Sequence, residues 1–343
     1  MKKALLLTTC LLAATLAGCG KEQSQLYDRG MEAMEQQDYV TAIGMFQGAI
    51  EARERLAESC RAVGIAYLES GEYDKAAQAF QDSLDAMEHK HEAFRKDVMF
   101  YQAEALRLSG NTDQALEVYD QMEKTFSDGD VYFSRGCLYL ERKEYDQAKA
   151  DFEKASDKDK SYEMCLNIYQ MYQDSSMKAD GDGFLEKAAG ITPKDAEDYY
   201  ALGCVYYYLE DTDQARTALE KAREEGSAQA LSMLGNIYLK QNDTQSARQV
   251  FEQALGGEEQ AAARNGLALC DLAEGNYDSA LEHINSGLAS ASGQDRENLL
   301  YNQIVAYEKK LDFAQAKTLM AAFLEEFPDN DAALRENLFL QSR

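Results

Sequence analysis

The chain has 343 residues, a formal net charge of -26, two prolines and no tryptophan. That balance argues against nucleic acid, whose recognition needs a basic surface, and against lying flat on anionic lipid. Strand-like alternation of apolar and polar residues is absent, so the composition points to helices.

In chain order, the first feature is a basic start, Lys2 and Lys3, followed by an apolar stretch from Ala4 to Ala17. The stretch is short for a final membrane span. It ends in Leu16-Ala17-Gly18-Cys19. Basic start, apolar core and this tetrapeptide together resemble a bacterial lipoprotein signal peptide. The resemblance implies that residues 1–18 are removed and that Cys19 becomes a lipidated N-terminus. The chain is then expected outside the cytoplasm, held at a bacterial membrane by acyl chains such as palmitate. Residues 19–25 form a tether, and its loss of Lys2 and Lys3 leaves the mature chain at about -28. The surplus of acid fits a solvated surface, and it also suits a basic partner.

From about residue 23 to 330 one pattern recurs. The stretch Gly64 to Phe80 shows it best: a small residue (Gly64), an aromatic three later (Tyr67), Ala76, and Phe80. Residues three and four apart share a helix face. The stretch therefore reads as two helices, packed closely through small residues and turned at Gly71. The small slot holds Gly30, Gly64, Ala103, Gly136, Gly203, Gly235 and Ala268. Twelve residues on stand Ala42, Ala76, Ala115, Ala148, Ala215, Ala247, Ala280 and Ala316. Polar residues after the turn, Glu72, Asn111, Asp243 and Asn276, are placed to cap the second helix or oppose its dipole.

Repeats one to four occupy 26–161, with extra residues in Met87 to Lys96 expected to lengthen a second helix or a loop. The fifth, 162–195, departs most. Tyr169 stands in the small slot, Gly181 in the alanine slot, and three glycines weaken its second helix by about 1 kcal/mol each. A weak point and a bend are expected there. Repeats six to nine fill 196–330, with Asp271 at an aromatic slot. Residues 331–343 read as a capping helix, with Leu334, Leu338 and Phe339 toward the array and Arg335, Glu336 and Gln341 toward water.

These spacings resemble the tetratricopeptide repeat family, a helix–turn–helix unit of about 34 residues. The resemblance implies an all-α, right-handed superhelical solenoid of about nine repeats. It also implies a groove, lined by the first helices, that binds a protein or peptide. At the flanking positions stand Tyr27, Arg61, Phe100, Arg107, Phe133, Tyr200, Tyr207, Asn236 and Tyr301. Aromatics there suit an extended peptide or a partner helix. The function expected is a membrane-anchored scaffold or assembly factor of the cell envelope. The alternative is a surface solute- or glycan-binding lipoprotein using the same aromatics. Some members grip a chain-terminal carboxylate, but Ile65 stands where the clamp's asparagine would follow Arg61.

Little else carries chemistry. Cys60, Cys137, Cys165, Cys204 and Cys270 are far apart and read as small buried hydrophobes. His89 and His91 are two apart and diverge on a helix. Asp180-Gly181-Asp182-Gly183 has Ala189 where a calcium loop needs an acid. No phosphate loop or nucleophile elbow is present, so neither an enzyme nor a cofactor or metal is expected.

Overall fold

The structure, a computed structural model, describes residues 25–87, 91–257 and 260–343. The proposed lipidation site Cys19, its signal peptide and His89 lie outside these residues. Among the described residues there are nineteen helices and no strand. They alternate as first and second members of hairpins. Four hairpins come first: α1 (Gln25–Glu35) with α2 (Tyr39–Glu51), α3 (Leu56–Glu69) with α4 (Tyr73–Ala86), α5 (Glu92–Leu108) with α6 (Thr112–Thr125), and α7 (Gly129–Glu141) with α8 (Tyr145–Lys158). Five follow: α9 (Tyr162–Asp174) with α10 (Lys178–Ala189), α11 (Ala196–Tyr208) with α12 (Thr212–Glu224), α13 (Gln229–Lys240) with α14 (Thr244–Ala254), α15 (Gln260–Glu274) with α16 (Tyr277–Leu288), and α17 (Gly293–Lys309) with α18 (Phe313–Glu326). A last helix, α19, spans Asp331–Gln341. The packing divides the chain into two compact units at Ala155 and Ser156, inside α8.

The slot pattern has a direct steric cause. A Cβ added to Gly64 would stand 2.7 Å from the Phe80 ring, and one on Gly136 2.8 Å from Phe152. The ring of the second helix thus lies on the bare backbone of the first. Phe46, Phe80, Phe152 and Phe251 are almost completely buried in this way. Each contributes about 2–3 kcal/mol of hydrophobic stabilisation.

The turns repeat as faithfully. Seven residues after each slot the backbone is left-handed, from Gln37 (φ 59°) and Gly71 (φ 79°) to Leu311 (φ 64°). The next residue donates its N–H back to the first helix, as Glu72 does to the Tyr67 carbonyl at 2.8 Å and Asp312 to Tyr307 at 3.0 Å. This bond closes each first helix. Glycine supplies the conformation at Gly71 and Gly110, whereas Lys143 and Glu210 adopt it with a side chain. Of the four anticipated caps, Asp243 accepts from the Ser246 N–H, and Glu72, Asn111 and Asn276 make no side-chain cap bond.

Two expectations are corrected by the structure, those for the residues near Met87 and for the buried face of α19, and the fifth repeat gains a steric account. The extra residues near Met87 do not lengthen α4, which ends at Ala86; α5 is the longer helix, at 17 residues. The fifth repeat is a compensated exchange. Its second helix forms with two glycines inside it and the third, Gly190, at its C-cap, because Gly181 is the bare surface on which Tyr169 lies: an added Cβ would meet Tyr169 Cδ2 at 3.1 Å and Tyr172 Cβ at 3.2 Å. Large and small residues have traded helices.

On α19 the buried stripe is Ala333 and Leu340, with Glu336 and Asn337 half-buried between them. Leu334, Leu338 and Phe339 are 43%, 68% and 39% exposed. The stripe at 333, 336, 337 and 340 presents the small Ala333 where α19 meets α18. A one-residue step turns a helix by about 100°, and that step carries the leucines outward.

Candidate binding surface

In the first unit, cations on one first helix meet acids one repeat further on. Arg61 on α3 donates Nε–H to Asp97 on α5 at 2.6 Å, and its guanidinium lies 5.2 Å from the Tyr101 ring centroid. Arg107 on α5 grips Glu104 with two hydrogen bonds of 2.7 Å and reaches Glu141 on α7 at 3.0 Å. Lys96 pairs with Asp128 and Asp130. Exposed pairs of this kind contribute about 0–1 kcal/mol each. Their chemical consequence is larger than their energy. The cations offered by the sequence are already neutralised by the chain's own acids.

The aromatics of this unit are half-buried and lean on second helices. Tyr27 lies 5.6 Å from Phe46, Phe100 lies 6.3 Å from Tyr119, and Phe133 lies 5.9 Å from Phe152. The Arg55 guanidinium covers Tyr27 at 4.1 Å, and Lys96 stands 5.6 Å from Phe100. These rings anchor hairpins and offer an edge or a face to whatever docks.

In the second unit, Tyr207 is exposed, 38% accessible, beside Tyr208 at 5.8 Å and Lys240 at 5.6 Å. Asn236 is also exposed. Tyr200 is half-buried and packs against the cluster of Ala215, Leu219 and Leu234. Tyr301 is half-buried 5.9 Å from Phe323. Tyr207 and Asn236 are therefore the sequence-derived candidates most open to a partner in this unit.

Two buried networks were not anticipated. Arg135 on α7, 5% exposed, binds Asp151 at 2.6 and 3.0 Å, Asp120 at 2.6 Å and Glu123 at 2.6 Å. Asp271, at the aromatic slot of the eighth repeat, is 3% exposed and accepts from Arg248 at 2.8 Å and Ser279 at 2.7 Å. An ion pair stands there in place of a ring. The signal in the sequence was a charged residue at a packing slot, Arg135 one before Gly136 and Asp271 three after Ala268.

Glu308 on α17 lies against Glu336 on α19, with Tyr301 and Arg335 nearby and Lys309 adjacent. Burial first, then the Glu336 charge and hydrogen bond, push its carboxyl up to about 7. A carboxyl raised in the fold stabilises it fully below its unfolded value near 4.5 and loses that contribution as pH rises through 7. After solvent screening the change is about 1–2 kcal/mol. Denaturation from pH 5 to pH 8 should therefore show E308Q gaining on the parent as pH rises. A constant difference would refute the linkage.

All five cysteines in the described residues are unpaired, and burial raises their thiols, Cys60 and Cys270 to about 11 and Cys137 to about 12. Thiols held this high are poor nucleophiles. Among the described residues no group of three or more His, Cys, Asp or Glu side chains could hold a metal, and no helix is long and apolar enough to cross a membrane.

Hairpins at a period near 33 residues, with ion pairs between successive first helices in the first unit, define a helical repeat protein. The chain belongs to the tetratricopeptide repeat family, whose sequence profiles match residues 27–89, 62–130, 200–261, 232–295, 129–161 and 299–330. Repeats of this family bind protein or peptide partners, on a fold that is typically a non-catalytic interaction scaffold. A curated relative is the BBSome complex member BBS4 homolog of Drosophila melanogaster, 22% identical over 284 residues. The match covers 78% of this chain and 57% of that protein, so the chain spans little more than half its relative's length. Among solved structures, a tetratricopeptide repeat protein of Parabacteroides merdae is 18% identical, with a TM-score of 0.39 over 71% of this chain and 97% of that one. A chain of the APC/C hetero-tetramer Cut9-Hcn1 is 14% identical, with a TM-score of 0.46 over 92% of this chain and 83% of that one.

Proposed function

We propose that the chain is an exported lipoprotein, anchored through Cys19, that presents its first-helix faces to a basic protein or peptide in the cell envelope. The observation that carries the choice of partner is the pairing of Arg61, Lys96 and Arg107 with the chain's own acids. With those cations spent and a net charge of -26, the remaining field is negative. It attracts basic partners and repels acidic ones. Exposed Tyr207 and Asn236 add a stacking surface and an amide to the same type of face. Leu16-Ala17-Gly18-Cys19 supports the anchor.

The anchoring half is tested with Cys19→Ser. The parent is expected in the membrane fraction with palmitate label incorporated, and the variant is expected unlabelled and released from it. A parent that is soluble and unlabelled would refute lipid attachment.

A further inference from the structure

We propose that the face of the Tyr207 ring is a seat for an arginine of the partner, occupied in the free protein by the chain's own Lys240. The inference rests on the reading of a basic partner given above and names where one of its cations goes. Lys240 on α13 sets its ammonium 5.6 Å from the Tyr207 ring centroid. A cation at this distance is attracted by the electron-rich face of the ring. In the first unit Arg61 over Tyr101 also binds Asp97, and Lys96 over Phe100 also binds Asp128 and Asp130. Lys240 makes no ion pair among the described residues, in a chain with 61 acidic residues. Its contact with the ring is therefore one that a second cation can replace without stranding a carboxylate.

The ring is held ready for this exchange. Tyr207 meets Tyr208 edge to face, with centroids 5.8 Å apart and ring planes at 71°. Tyr208 in turn lies 5.0 Å from Tyr169, which is 1% exposed. The buried ring fixes the second, the second orients the third, and Tyr207 itself stays 38% exposed. Asn236, also exposed, stands one helical turn before Lys240 on α13, on the same face. Its side-chain carbonyl accepts an N–H bond. An arginine suits this pair better than Lys240 does. Its guanidinium is planar, stacks on a ring and is more weakly hydrated than an ammonium. Tyr207 supplies the face, Asn236 an acceptor at the edge, and the charge of -26 the long-range attraction. Lys240, exposed on its own helix, moves into water as the guanidinium arrives. It acts as a competitor built into the chain, which every partner has to displace.

Calorimetric titration of the purified protein with a capped tri-arginine peptide, and with capped tri-glutamate as its acidic counterpart, tests this. The parent is expected to bind tri-arginine and not tri-glutamate. Lys240→Gln, which vacates the ring, is expected to tighten tri-arginine binding about two- to fivefold. Tyr207→Leu weakens it by a similar factor, whereas Tyr207→Phe, which keeps the ring face, does not. With Tyr207→Leu already in place, Lys240→Gln no longer gives its gain, because the two side chains act as a pair. Both positions are exposed, and circular dichroism is expected to be unchanged throughout. Tri-arginine binding that is indifferent to Tyr207→Leu overturns the seat and leaves the basic-partner reading standing. So does a gain from Lys240→Gln that persists without the ring. Binding of neither peptide also overturns the seat. A preference for tri-glutamate, weakened by Lys240→Gln, overturns both the seat and the reading.

Discussion

Replacing Arg135 by alanine is expected to lower the unfolding free energy of the first unit by about 3–5 kcal/mol. Arg135 sits on α7, yet its guanidinium binds Asp120 and Glu123 of α6 as well as Asp151 of α8. It therefore fastens two successive hairpins to each other. Its side chain is 6% exposed and that of Asp151 4%. Truncation leaves the Asp151 carboxylate buried beside Glu123 with only Lys154, at 3.5 Å, as a cation in reach among the described residues. The cost comes chiefly from that stranded charge and less from the lost attraction. The double variant Arg135→Ala/Asp151→Ala should consequently lose less than the two single changes added together. Urea denaturation followed by circular dichroism measures all three. A loss below about 1 kcal/mol for Arg135→Ala, typical of an exposed pair, would show that the network is not structural.

Tyr169→Ala is expected to cost about 3–5 kcal/mol, because a ring only 1% exposed leaves a cavity over Gly181. Gly181→Ala alone is also expected to destabilise: its methyl meets Tyr169 and Tyr172 at 3.1–3.3 Å, and overpacking outweighs the gain in helix propensity. Made together, the two changes return the fifth repeat to the small-plus-alanine arrangement of its neighbours. The pair should then cost clearly less than the sum of the singles. Strict additivity in denaturation experiments would mean that the two residues are not complementary.

These two cases show what the sequence could and could not reveal. The Gly-to-Phe contact recurs at fixed spacing, as in Gly64 with Phe80, so its period is visible without coordinates. Asp97 is one repeat beyond Arg61, and Glu141 one beyond Arg107. Such pairs depend on how hairpins stack and leave no local pattern. The fifth repeat looked defective because each residue was compared with its slot alone, whereas Tyr169 and Gly181 make sense only as partners. For α19 the helix itself was legible from its composition. Its buried face was not, because Ala333 and Leu340 differ from Leu334 and Leu338 by no more than a rotation. Of the candidate contact residues, Tyr207 and Asn236 are open, while Arg61 and Arg107 are engaged within the chain. Side-chain type could not distinguish those two situations.

On the proposed reading, first-helix faces, and not second-helix faces, hold the partner. Photo-crosslinking in living cells tests it most directly, with a photoreactive residue at Tyr207 on α11, at Asn236 on α13, or at exposed Glu252 on the second helix α14. The expected result is one discrete adduct, the same basic protein by mass spectrometry, from Tyr207 and Asn236 and none from Glu252. Equal adducts from all three positions, or an adduct from Glu252 alone, would contradict the claim.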